Sequence, residues 1–276
     1  DDDDTWIEFL ERYIKSVAGC SAGAMTSVLL SSGIRPSEAV KFCSSIGLFD
    51  FADPPGLLGL FRGDLFEQLM NKFIMNSTTM TTEQQQKYNN NKSDHPKPSL
   101  LLQDGRIPVA VTAFDLLSWK RIILTHGNSM ARAARASACF PFLFQPVLLK
   151  RNNFSRYHLL IDGGIKDYWG LEGLAATFFS TRNKQQQRQN NNNNKQRIVH
   201  IVVGTYDDQH NGGSIIRTRD KTTFFSKHPI ISDVVTINLQ NTPKAGPWAM
   251  KNGPKAANVS KLAMLQALDT KLSYII

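Results

Sequence analysis

The sequence predicts an α/β fold, a layered domain with a largely parallel central sheet, and three observations carry that prediction. Short apolar runs alternate along the chain with segments of helical periodicity, the pattern of strand–helix–strand units. Ile198 to Val203 is an unbroken, β-branched apolar run ending at Gly204, the form of a strand buried on both faces. Leu159 to Ile161 is a further short strand that ends at Asp162-Gly163-Gly164, so a carboxylate is delivered at a strand's C-terminal end, where α/β folds place their sites.

The elements follow in order. Trp6, Ile7, Phe9, Leu10 and Tyr13 recur at helical spacing, with Asp4 or Thr5 as a cap. A strand over Lys15 to Ala18 feeds Gly19-Cys20-Ser21-Ala22-Gly23, and Ala24, Met25, Val28, Leu29 and Leu30 continue as a helix that Gly33 ends. Pro36 to Cys43 reads as a second helix with proline early in its first turn. Gly56 to Gly63 reads as a loop, and Asp64 as the cap of a helix through Leu65, Leu69 and Phe73. Ile107 to Thr112 and Lys120 to Leu124 read as strands, and Met130 to Ala138 as an alanine-rich helix. Val234 to Leu239 gives a last strand and Val259 to Leu272 the closing helix.

Length and composition set bounds. A chain of 276 residues with 16 Phe and 4 Trp can bury one full core, and the reading is a single domain over 6–276. Polar tracts at about 77–97 and 182–196, the second with five consecutive asparagines, lack periodicity and read as surface insertions. Cys20, Cys43 and Cys139 form no CxxC pair and no metal-ligand cluster with histidine, so the expectation is no disulfide framework, no metal and no cofactor. With no run of about 18 apolar residues, the sequence offers no spanning helix. The net charge of +9 is scattered rather than blocked and carries no basic-aromatic motif, which argues against nucleic acid and for a solvated basic surface that suits anionic lipid. The expected location is intracellular, cytoplasmic or peripheral on a membrane; the residues do not specify an oligomeric state.

Gly19-Cys20-Ser21-Ala22-Gly23 fits the G-x-S-x-G nucleophile elbow, a sharp strand-to-helix turn that exposes the serine hydroxyl. The turn holds Ser21 under strain, and side chains at Gly19 and Gly23 are expected to clash where strand and helix cross. The N–H of Ala22, the residue after the nucleophile, is an oxyanion donor. Two bases compete. A triad draws on His200, His210 or His228, all of which follow Asp162 in the chain, although His200 sits inside an apolar strand and the other two lie in polar loops. A dyad uses Asp162 directly, with Gly163 and Gly164 allowing close backbone approach, and it works well only if partial burial lifts that carboxylate above its reference of about 3.9.

Four stretches resemble the patatin-like phospholipase family, in the family's order: Ser16 to Ala24, Gly59 to Leu65, Arg132 to Pro141 with Gln145-Pro146-Val147, and Leu159 to Gly164. The resemblance spans roughly Trp6 to Leu239. It implies a three-layer α/β/α domain and a Ser21–Asp162 dyad, hydrolysing acyl esters of phospholipids, lysophospholipids or neutral lipids without calcium. Lipid is then the expected partner, with peripheral membrane contact. The family also carries a glycine-rich oxyanion loop upstream of its elbow. No such loop stands before Ser21, so an upstream strand and loop are expected to precede Asp1. Ile165 to Gly170 replaces the asparagine and proline with which the family continues. Phe140, Phe142, Leu143, Phe144, Leu57, Leu58, Leu60 and Phe61 are candidates to line an acyl-chain site, and Arg62 and Lys166 to meet a phosphate head group. The alternative is a catalytically silent member of the family that binds lipid or membrane.

Overall fold

In a computed structural model, residues 2–78, 99–150, 157–166, 171–177, 196–203, 231–239 and 252–272 are described. The chain forms two units, the first of Asp1–Ala39 with Phe49–Gln187 and the second of Val40–Leu48 with Arg188–Ile276. The core of both polar tracts lies outside the described residues.

The first unit opens with helix α1 (Asp2–Tyr13), strand β1 (Val17–Cys20) and helix α2 (Ala22–Ser31). Helices α3 (Pro36–Ser45) and α4 (Leu48–Phe51), whose residues Val40–Leu48 belong to the second unit, come next in the chain; the first unit continues with β2 (Gly59–Phe61) inside the segment that reads as a loop, and helix α5 (Asp64–Ser77). Next come β3 (Val109–Asp115), β4 (Lys120–Leu124), helix α6 (Met130–Ser137), β5 (Phe142–Phe144), β6 (Val147–Lys150) and β7 (Tyr157–Asp162). Residues 171–177 form a last helix, α7. All seven residues of β3 are buried, which makes it the spine of the sheet.

β1 pairs with β3 in parallel, Cys20 opposite Thr112. β4 and β7 pair with β3 antiparallel, and β6 with β7 likewise. The fold is α/β, and the sheet is mixed: strand–helix alternation points to parallel pairing, which β1/β3 and the β2/β5 ribbon keep. The β3–β4 connection, residues 116–119, is a turn that carries no helix. A direct return of that kind forces antiparallel pairing. The pairing ranges also fix which edges are shared. β4 occupies Val111 to Asp115 on one edge of β3, so β1 (opposite Val109 to Thr112) and β7 (opposite Ala113 to Asp115) both lie along the other edge. Their C-terminal ends therefore meet head to head between Thr112 and Ala113.

Helices cover the sheet on two sides. A Cβ built on Gly19 points into α2, while Cβ of the next residue back, Ala18, lies 3.4 Å from one built on Gly173 of α7. Successive strand residues face opposite sides, so α2 and α7 sit on opposite faces. Val28, Ile34, Leu102, Val109, Val111, Phe114, Met130 and Leu160 fill the core.

Asp64 is not the cap of α5. The cap position is Gly63 at φ 85°, and Asp53 reaches in from the preceding loop to accept from the N–H groups of Gly63 (2.8 Å), Asp64 (2.6 Å) and Leu65 (3.1 Å). Burial pushes the Asp53 carboxyl up, but these three donors outweigh it and hold it below its ordinary value. Asp64, freed from capping, pairs with Arg135 of α6 at 2.8 Å, and the same guanidinium holds Glu67 at 2.9 Å. A distant acceptor can displace a local one because an orphan helix N–H needs only a lone pair in reach, whatever its place in sequence.

Asp115 organises the β3–β4 turn. It is buried, which raises its carboxyl, but His158 Nδ1 (2.9 Å), Ser118 Oγ (2.6 Å) and the N–H groups of Leu117 and Leu159 bring it down to about 2. A carboxyl depressed by folding contributes stability that is present above its unfolded value of about 3.9 and lost as pH falls toward the folded value. In acid titrations followed by circular dichroism, Asp115→Asn is thus expected to be less stable than the parent at pH 6, with the gap closing as pH falls below about 4.

In the second unit β8 (Gln196–Val203) and β9 (Ile231–Leu239) run parallel, His200 opposite Thr236, and α8 (Gly253–Leu272) packs on β9. The closing helix starts six residues earlier than its apolar spacing suggests, from Gly253 rather than Val259, with Pro254 just inside it where a missing N–H costs nothing.

Candidate active site

The head-to-head meeting of β1 and β7 places Ser21 and Asp162 together. Ser21 leaves β1 with φ 53° and ψ −124°, a left-handed conformation that a residue with a Cβ adopts only where its surroundings enforce it. Ser21 Oγ donates to Asp162 Oδ2 at 2.7 Å. The other carboxylate oxygen, Oδ1, accepts from Gly164 N at 2.8 Å, so the carboxylate is oriented from both sides. Asp162 is only 6% exposed, and this burial raises its carboxyl above the ordinary value, partly offset by the bonds from Ser21 and Gly164.

Two glycines are explained by close approach. A Cβ on Gly19 would sit 2.3 Å from the backbone of Gly23, and one on Gly163 would sit 2.1 Å from the Thr112 carbonyl oxygen. Gly23 differs from the expectation. A Cβ there meets nothing within 4 Å, because the close approach lies along the Cβ direction of Gly19 alone. Gly164 is intermediate, with Asp162 Oδ1 3.1 Å from its added Cβ. Ala22 and Gly23 occupy the first turn of α2, where backbone N–H groups have no carbonyl within the helix to bond and where the helix dipole favours negative charge.

The residue that sequence reasoning missed is Ser137. Fully buried at the end of α6, its hydroxyl accepts from Ser21 N at 2.9 Å and donates to the Thr112 carbonyl at 2.6 Å. It bolts the elbow to the sheet's spine at the strained residue. The signal in the sequence was a hydroxyl on an otherwise alanine-lined face, at Ala133, Ala134 and Ala136, where an unpaired polar group would be costly. Next in the chain, Cys139 accepts Asp162 N at its carbonyl (2.9 Å) and lends its thiol to the carbonyls of Phe144 and Gln145. Burial pushes that thiol up to about 12, with Arg135 opposing and Asp162 reinforcing, so it stays neutral and unreactive. Cys20, Cys43 and Cys139 are free thiols.

His126 and His158 bond Thr125 and Asp115, and neither is hydrogen-bonded to Ser21 or Asp162. His200 is placed in β8 by its backbone, and His210 and His228 lie outside the described residues. The candidate acyl-chain residues divide. Phe144 is buried against Phe51, Phe61 and Phe66 and belongs to the core, while Leu57, Leu58, Leu60, Phe140 and Phe142 are exposed. Arg62 and Lys166 are exposed, Arg62 lying 3.7 Å from Asp64.

An elbow serine bonded to a buried carboxylate, on a mixed sheet covered by helices on both faces, defines the class: an α/β domain with a nucleophile-elbow site. A family profile described as patatin-like phospholipase matches residues 8–172, more than half of the chain. The chain belongs to the patatin-like phospholipase family. Among solved structures, the crystal structure of VipD from Legionella pneumophila is similar at a TM-score of 0.51 and 16% identity, over 96% of this chain and 64% of VipD. That is a likeness of fold, and the chain spans less than two thirds of VipD's length. No curated protein matches the sequence.

Proposed function

We propose that the protein hydrolyses carboxylic esters of phospholipids, lysophospholipids or neutral lipids with Ser21 as nucleophile and Asp162 as base. The observation that carries this reading is the 2.7 Å bond from Ser21 Oγ to Asp162 Oδ2, made to a carboxylate whose burial raises its basicity. As Ser21 Oγ attacks the ester carbonyl, its proton passes to Asp162. The oxyanion that forms faces the N–H of Ala22 at the start of α2, where the helix dipole favours it. Collapse of the tetrahedral species expels the alcohol, which takes the proton back from Asp162. The same carboxylate then removes a proton from water as the water oxygen attacks the acyl-serine, and it returns that proton to Ser21 Oγ as the fatty acid leaves.

The test is labelling with a fluorophosphonate, located by peptide mass spectrometry, alongside release of fatty acid from a lysophospholipid. Label on the peptide holding Ser21, lost together with fatty-acid release in Ser21→Ala, is the expected result. A wild-type chain that neither labels at Ser21 nor releases fatty acid overturns the reading.

A further inference from the structure

We infer that the β2–β5 ribbon and its two leading turns form a docking surface for an anionic lipid bilayer, inserting apolar side chains beside the serine site. The inference rests on the ester-hydrolase reading only for what it delivers; the surface itself stands on separate observations.

β2 and β5 pair in parallel, Gly59 opposite Phe142 and Phe61 opposite Phe144, so the turns that lead into the two strands lie at the same end of the ribbon. Those turns are ordered. Gly56 N bonds Gly59 O, Gln145 Oε1 accepts from Leu57 N, and Leu143 N and Phe144 N both bond the carbonyl of Phe140. They nevertheless project large apolar side chains into solvent: Leu57 is 95% exposed, Phe142 83%, and Phe140, Leu58 and Leu60 about 60% each. Single exposed leucines are unremarkable in any protein, but five large exposed apolar side chains on one two-stranded ribbon and its leading turns are a concentration of the kind that marks an interaction site. Phe142 also holds φ 68°, a conformation strained for a bulky residue, and spends it on presenting a ring to solvent rather than on packing.

The partner follows from position and charge. The carbonyl of Cys139, one residue before Phe140, receives the N–H of Asp162, so the patch begins beside the carboxylate. From the other side Ile165, 48% exposed, projects three residues beyond Asp162. No acidic residue occurs between Leu57 and Arg62 or between Phe140 and Lys150, and Lys166 follows Ile165 directly. The segments end at Arg62, which lies 3.7 Å from Asp64, and at Lys150, on a chain of net charge +9. Apolar tips that enter the acyl region, with cations at head-group level, match a bilayer carrying anionic lipid.

The experiment is co-sedimentation of the 276-residue chain with phosphatidylcholine vesicles containing phosphatidylglycerol, beside the variant Leu57→Ser/Leu58→Ser/Phe142→Asn. Asparagine suits the positive φ, and the removed side chains are exposed, so the variant keeps the parent's thermal midpoint. Partitioning is expected to fall at least about tenfold in the variant, with hydrolysis of the water-soluble ester p-nitrophenyl butyrate unchanged. Independently, Phe142→Trp should gain emission that is quenched by brominated acyl chains. Equal partitioning of parent and variant, or no quenching, overturns the proposal. So does a parent that is dimeric without vesicles while the variant is monomeric, which would make the face an interface between copies. If the parent hydrolyses no ester yet loses vesicle binding in the variant, the docking surface stands and the hydrolase reading falls.

Discussion

Asp162→Asn is expected to lower turnover of a soluble ester by about 10³-fold, equivalent to about 4 kcal/mol of transition-state stabilisation, with KM held within a few-fold. Asparagine has the same shape and keeps an oxygen for the Gly164 N–H, now 2.8 Å away, so the β7 terminus retains its geometry. What it cannot do is accept the Ser21 proton. The pH dependence separates this from a general loss of structure. The carboxylate works only when ionised, and burial raises its protonation range, so kcat/KM of the parent should fall on acidification at a pH above the ordinary carboxylate value of about 3.9. The residual activity of the variant should lack that limb. Linkage gives the opposite sign for stability. A carboxyl whose pKa folding raises favours the fold while protonated, and that contribution is lost as pH rises through its folded value. At neutral pH the ionised, buried Asp162 is therefore a cost, and Asp162→Asn should unfold at an equal or higher temperature. An activity loss accompanied by a drop in thermal midpoint would sink this assignment.

Ser137→Ala is the second large effect, and it acts on two properties at once. It leaves the part-buried Ser21 N–H without its acceptor and removes the hydroxyl's bond to the Thr112 carbonyl. Orphaning a buried donor costs about 1–3 kcal/mol, so a loss of about that size in urea unfolding is expected. Ser137 touches no reacting atom in the proposed chemistry; it positions the elbow. With the bolt gone, Ser21 can relax from φ 53°, and the hydroxyl loses its fixed approach to Asp162. Turnover per labelled active site should fall by about tenfold or more with KM little changed, because misplacement by a fraction of an ångström is felt in the transition state more than in binding. A residue that mattered only for stability would lower the unfolding midpoint and leave turnover per active site untouched.

The local signals in the chain were strong where the physics is local. G-x-S-x-G needs Gly19 because a Cβ there would enter the backbone of Gly23, and that constraint acts over four residues. The Asp162-Gly163-Gly164 stop, the alanine-rich α6 and the apolar runs of β7 and β8 read directly for the same reason: periodicity and turn chemistry are properties of neighbouring residues. Sequence reasoning also paired Ser21 with Asp162, but it needed the family resemblance to choose that pairing over a histidine, since nothing local ranks an aspartate 141 positions away.

The sequence by itself determined the fold class, the elbow and the candidate nucleophile, since each is written in contiguous residues. Tertiary structure alone decided that the sheet is mixed, that Asp53 rather than Asp64 caps α5, that Ser137 holds the elbow, and that β1 and β7 meet end to end on one edge of β3. All four are contacts between segments far apart in the chain. Which distant donor finds which acceptor is settled by the geometry of the packed core, not by the propensities of the residues on either side.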